Sequence, residues 1–132
     1  LDLRTAVGRA DLITSATTSR EPLIRGAWLR DGTHVDLVGA FRRDMREADD
    51  AAILRARVIV DTCAGALAEA GDLTQPIERG LITPEHVVGE LAQLLRGEVL
   101  GRVTPQDITL FKSVGTALED LAAASLVVSR CA

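Results

Sequence analysis

The sequence predicts an α/β domain built on a mostly parallel β-sheet flanked by helices, and three observations predict it. Four short runs rich in β-branched residues, Leu12–Ser15, Val35–Val38, Val58–Val60 and Ile108–Phe111, read as strands, with helical patterns between them. The first, third and fourth lack clean polar alternation, the pattern of strands buried on both faces under helices. Finally, the stretches 10–18, 35–40 and 110–124 are apolar runs that end in small residues. At the carboxyl ends of parallel strands, small residues let a flat ligand lie across the sheet edge.

Taken in order, Thr5–Ala10 reads as the end of a helix leading into the first strand. Trp28, the only tryptophan, sits in an amphipathic turn before Asp31-Gly32 and is expected to pack. Asp49–Arg55 is a short helix with acids in its first turn and Arg55 in its last, which suits the helix dipole. Thr83-Pro-Glu-His86 places a capping hydroxyl ahead of a proline at the first helical position. A helix is therefore expected from there to Gly97, burying Val87, Val88, Leu91, Leu94 and Leu95. A last helix, from about Gly115 to Arg130, carries Leu118, Leu121, Ala122, Ser125 and Leu126 on one stripe and should also pack on something.

The order of elements is Rossmann-like, yet no G-x-G-x-x-G or P-loop occurs. The chain opens at Leu1 without an initiator Met, in what reads as the end of a helix. It is expected to be cut from something longer and to lack its first β-α-β half. The 132 residues fit one domain, taken as 1–132.

A net charge of −4 with interspersed signs argues against nucleic acid, which requires a basic patch. No apolar run approaches the roughly 18–20 residues that cross a bilayer, and no signal peptide is read, so a cytoplasmic chain without a membrane partner is expected. Cys63 and Cys131 have no Cys/His cluster around them, which suggests neither zinc nor a disulfide framework. His34 and His86 lack a Ser or Cys partner at a telling spacing and read as structural. The acids of Asp44-Met-Arg-Glu-Ala-Asp-Asp50 read as a solvated face and helix start rather than a metal cluster.

Ser15-Ala-Thr-Thr-Ser-Arg-Glu-Pro22, Gly32-Thr-His-Val-Asp-Leu-Val-Gly39, Asp44-Met-Arg-Glu47, Ala68-Glu-Ala-Gly-Asp72 and Phe111-Lys-Ser-Val-Gly115 occur in that order. With them the chain resembles the ornithine cyclodeaminase/mu-crystallin family nearly end to end. The resemblance implies the second half of a Rossmann domain whose last helix, about 115–132, returns towards an N-terminal substrate and dimerisation domain. It implies NAD or NADP as cofactor, a small amino- or imino-acid substrate, and a homodimer at full length. Ser15, Ala16 and Thr17 would approach the cofactor between adenosine and nicotinamide, and Val38 and Gly39 would border the ring. Val114, beside Lys112 and Ser113, would close over it, with free N–H groups at the last helix start available to an oxygen ligand. Valine at position 39 would then crowd the nicotinamide while leaving the fold intact. Glycines 39 and 115 also have a plainer reading as turn residues supplying a positive φ.

The family reaction is hydride transfer between an amino- or imino-acid α-carbon and the nicotinamide. The cyclodeaminases carry an aspartate two positions after the glycine of the Val-Gly motif. Here that position is Phe41, which cannot carry a proton. Together with Arg43-Asp-Met-Arg-Glu47, Phe41 favours a reductase of cyclic ketimines, such as pyrroline- or piperideine-carboxylate, over a true ornithine cyclodeaminase. The catalytic residues stay unassigned. Arg43 stands where many relatives have proline. Glu69 and Asp72 flank Gly71 and are candidates for supporting the site, with a turn as the alternative. Without the upstream glycine turn the chain alone is expected to be inactive. A non-catalytic binding or dimerisation role of mu-crystallin type stays open as the second reading.

Overall fold

The computed structural model describes residues 2–131. Leu1 and Ala132, the ends of the expected 1–132 domain, lie outside the described residues. Helix α1 (Leu3–Arg9), N-capped by Asp2, leads into β1 (Leu12–Ser15). A 3₁₀ turn (Gly26–Trp28) precedes β2 (His34–Leu37), and α2 (Asp50–Arg55), β3 (Ala56–Val60), α3 (Cys63–Glu69) and α4 (Gly71–Glu78) follow. A second 3₁₀ turn (Pro84–His86) opens into β4 (Val87–Glu90) and α5 (Leu91–Leu95), and the chain ends with β5 (Ile108–Lys112) and α6 (Ala117–Cys131).

The five strands form one parallel sheet in the order β1-β2-β5-β3-β4. The last strand therefore returns to the middle, inserted between β2 and β3. In register, Ile13, Val35, Leu110 and Val58 form one row across the sheet, and Ser15, Leu37, Lys112 and Val60 the next. Both rows are buried beneath a core that includes Ile53, Ala66 and Leu73 of α2, α3 and α4. Burying each such aliphatic side chain contributes about 1.5–3 kcal/mol. The opposite face, with Thr14, Asp36, Val38 and Phe111, lines an open cavity of about 730 Å³.

Three expectations change here. Burial on both faces holds at β3, where Val58, Ile59 and Val60 are at most 5% exposed, and fails at the edge strand β1, where Leu12 is 63% exposed. The helix expected from Pro84 to Gly97 is a 3₁₀ turn, a strand and a five-residue helix, and Thr83 makes no side-chain cap. Val87, Gly89 and Glu90 instead pair with Val58, Ile59 and Val60, with a register shift that skips Val88, because a free sheet edge offers backbone bonds that override the helical spacing of the leucines. Helix α6 forms where expected, but its stripe packs on nothing among the described residues: Leu118, Leu121 and Leu126 are 54–74% exposed.

The loop feeding β5 is closed by Asp107, whose carboxylate accepts from the Val103 and Thr104 amides and the Thr104 hydroxyl. These bonds, led by the Thr104 hydroxyl, hold its pKa at about 2. Because the folded value lies below the unfolded one of about 3.9, the stabilisation is present above pH 4 and is lost as pH falls through about 2. Asp107→Ala should therefore lower the melting temperature at neutral pH. That gap should close between pH 4 and 2; a gap of constant size would contradict the assignment.

Candidate functional site

The carboxyl ends of β1, β2, β3 and β5 bring four loops to one edge, the position where open α/β sheets bind ligands. The loops are 16–18, 38–42, Asp61-Thr62 and 113–116. Ala16 and Val38 present exposed side chains there, Val38 at 45%. Val38 and Ser113 lie on the 730 Å³ cavity, whereas Ser15, Ala16 and Thr17 line a second one of about 430 Å³ along the free edge of β1. Phe41, 44% exposed on the 38–42 loop, lines a shallow groove with Arg43 and Glu69.

Beneath this edge lies a buried charged network. Glu47, fully buried, accepts at Oε1 from the Ser15 hydroxyl (2.7 Å) and the Thr17 amide (2.6 Å). Asp72, also fully buried, accepts at Oδ1 from the Glu47 and Ala48 amides (2.8 and 2.9 Å). Its Oδ2 lies 3.5 Å from the ammonium of Lys112, whose side chain is entirely enclosed. Lys112 donates in turn to the carbonyl oxygens of Leu37 (3.4 Å) and Gly39. Burial pushes the Asp72 carboxyl up and the Lys112 ammonium down, and each charge opposes the shift of the other. Ser15, Thr17, Gly39 and Lys112 are thus brought together, with the lysine presenting no surface of its own at the edge.

Gly39 is fixed by contact rather than by φ. A Cβ there would lie 2.1 Å from the Thr17 carbonyl oxygen and 2.5 Å from its nitrogen. The β1 and β2 loops cross backbone to backbone, so valine at 39 cannot leave the fold intact, contrary to expectation. The next residue, Ala40, is buried and left-handed, with φ 48°, a conformation that non-glycine residues adopt at a cost. Gly115 does carry a positive φ, 83°, as the turn reading requires.

Two of the N–H groups expected to be free near the last helix, those of Val114 and Gly115, are taken. Asp61 Oδ2 accepts from the Val114 and Gly115 amides (both 2.8 Å) and the Ser113 hydroxyl (3.0 Å). α6 itself begins only at Ala117. A neighbouring carboxylate therefore fills the position assigned to a ligand oxygen and shapes the 113–115 turn from within.

The segment 44–50 is likewise no solvated face. Met45 to Ala48 are buried, while Asp49 caps α2 and Asp50 pairs with Arg46 and Arg79. Asp72 is buried and holds the Glu47 and Ala48 amides, whereas Glu69 is exposed at the end of α3. Arg43 binds the Ala68 carbonyl and pairs with Glu78, tying the β2 loop to α3 and α4. His34, on the wall of the 730 Å³ cavity, bonds to the Thr109 hydroxyl, and His86 donates to the Ile53 carbonyl.

Glu47 and Asp61 were the acids that sequence reasoning missed. One signal was available: Lys112 closes an otherwise apolar strand, and a lysine in a core requires a buried counter-charge. Asp61-Thr62, directly after the apolar run Val58–Val60, was the other.

A parallel sheet with its loops gathered over a carboxyl edge defines a Rossmann-type domain. The family model for the ornithine cyclodeaminase/mu-crystallin family matches residues 1–132. The chain belongs to that family. Among curated relatives, a Delta(1)-pyrroline-2-carboxylate reductase of Paracoccus denitrificans is 50% identical over 96% of this chain and 40% of its own length. The solved Delta(1)-pyrroline-2-carboxylate reductase of Thermococcus litoralis, in complex with NADH and L-proline, superposes with a TM-score of 0.90. It is 42% identical, over 93% of this chain and 38% of that one. An archaeal alanine dehydrogenase dimer with bound NAD also gives a TM-score of 0.90, at 28% identity over 100% of this chain and 42% of that one. The chain thus spans about 40% of the length of the curated relatives it matches.

Proposed function

We propose that residues 1–132 are the cofactor-crevice part of an NAD(P)H-dependent reductase of small cyclic imino acids, pyrroline- or piperideine-2-carboxylate in class. The 50% identity to a named pyrroline-2-carboxylate reductase, over nearly the whole chain, carries this reading. The residues at the edge suit a dinucleotide: Ala16 and Gly39 keep bulk away, and the half-open Val38 offers an apolar flank to a flat ring.

In this reading the cofactor supplies the hydride that C2 of the imine gains, and the imine nitrogen takes one proton. Ser15, Ala16 and Thr17 flank the dinucleotide, Val38 and Gly39 border the nicotinamide, and the Ser113–Val114 turn, braced by Asp61, closes beside it. The backbone of Lys112 leads into that turn. Phe41 offers no proton, which suits an imine already protonated on nitrogen and handicaps ornithine, whose α-ammonium must first lose one. Helix α6, with Leu118, Leu121, Val127 and Val128 exposed, reaches the substrate domain, and the protein works as a cytoplasmic homodimer. With no G-x-G-x-x-G among them, residues 1–132 by themselves hold dinucleotide weakly and turn over no substrate.

The test is steady-state oxidation of NADH and NADPH by the full-length protein with pyrroline-2-carboxylate, piperideine-2-carboxylate and ornithine. The cyclic imines should be preferred by more than about tenfold in kcat/KM, a discrimination within reach of pocket contacts. Release of ammonia from ornithine at the higher efficiency would overturn the reading.

A further inference from the structure

We propose that Lys112, Asp72 and Glu47 are positioning residues that set the separation of the two loops bordering the nicotinamide; this rests on the reductase reading above. The three form one connected path beneath the crevice. Lys112, on the central strand β5, pulls on the carbonyls of Leu37 and Gly39. Asp72, at the start of α4, faces that ammonium at 3.5 Å and holds the Glu47 and Ala48 amides at 2.8 and 2.9 Å. Glu47 then grips the β1 loop through Ser15 and Thr17. One end of the path fixes Gly39 and the other fixes Thr17, the two residues whose backbones cross.

Stability alone does not explain this arrangement. Burying ions costs several kcal/mol even when they are paired, and replacing the whole set by hydrophobic side chains of similar volume often does as well or better. Methionine would fill the volume of Lys112. What methionine cannot do is donate to two backbone carbonyls at the end of β2, where buried Ala40 is already held left-handed at φ 48°. Within the network Glu47 Oε2 is buried without a hydrogen-bond partner, while Asp72 Oδ2 has only the Lys112 ammonium, at 3.5 Å.

The side chains lie on the far side of the loops from the open edge, so they act through Gly39 and Thr17 and not on the substrate. A ring displaced by loop movement still binds but transfers hydride slowly, since misplacement of about 1 Å costs on the order of 100-fold in rate. The signature is therefore in kcat and not in cofactor affinity.

The experiment compares the full-length wild-type protein with Lys112→Met, using NADH and C4-deuterated NADH with pyrroline-2-carboxylate, alongside melting temperature. Lys112→Met should lower kcat by about tenfold or more, shift the KM for NADH by less than about threefold, and raise the primary isotope effect as hydride transfer becomes limiting. A fall in kcat smaller than this, or a loss confined to KM, would overturn the inference. Should Lys112→Met fail to fold, Glu47→Gln decides. It keeps the acceptor for Ser15 and Thr17 and removes the charge that faces Lys112. A drop in kcat of about threefold or more at an unchanged melting temperature supports the proposal, and a smaller one overturns it. A wild-type protein inert towards the imine would instead overturn the reductase reading, which separates the two failures.

Discussion

Gly39→Ala in the full-length protein is expected to lower reductase kcat/KM by about 100-fold or more, since the displacement it forces is of order 1 Å. The added methyl would stand 2.1 Å from the Thr17 carbonyl oxygen and 2.5 Å from Glu47 Oε1. Real Cβ atoms do not approach backbone so closely, so the β1 and β2 loops must part. The same overpacking should destabilise the fold by about 1–3 kcal/mol. Gly80→Ala is the control. Its φ of 68° also disfavours alanine, but nothing lies within 4 Å of the new methyl. It should cost about 1 kcal/mol of stability with rates unchanged. Steady-state kinetics and thermal melts on both variants check this, and normal rates for Gly39→Ala would mean that the crossing of the two loops does not shape the crevice.

Asp72→Ala is expected to be among the most destabilising single changes in the chain, by about 3–5 kcal/mol, as found when one partner of a buried ion pair is removed. The substitution leaves the Lys112 ammonium enclosed without a counter-charge and strips the Glu47 and Ala48 amides of their acceptor. Asp44→Ala provides the contrast, because Asp44 pairs with Arg20 and Arg42 at the surface. Its loss should cost less than about 1 kcal/mol. Urea denaturation with a common slope would reveal the difference as a shift in midpoint. Equal midpoints would show that Lys112 is not dependent on Asp72.

Much of the frame was legible in the residues themselves. Leu12–Ser15 and Ile108–Phe111 form strands where the β-branched runs stand, and Asp49 caps a helix where the charge pattern places one. These are local properties: a run of four apolar residues or an acid at a helix start needs no distant partner to express its preference. The family motifs also lie at the sheet edge, since Ser15, Val38 and Ser113 each end or follow a strand.

What the residues alone did not reveal depends on partners far apart in the chain. Val87–Glu90 carries helical spacing and becomes a strand because β3 leaves an edge to be paired. Glu47 reads as one acid in a charged run and is buried because Ser15 and Thr17, some thirty positions earlier, need its oxygen. Lys112 reads as a cofactor-binding residue at the start of the last helix and is the enclosed cation of the core because Asp72 comes to meet it. By itself the sequence determined four of the five strands and the family. Only the tertiary structure decided which charges are taken out of water and what they hold, because burial of a charge is settled by its long-range partners and not by its neighbours in sequence.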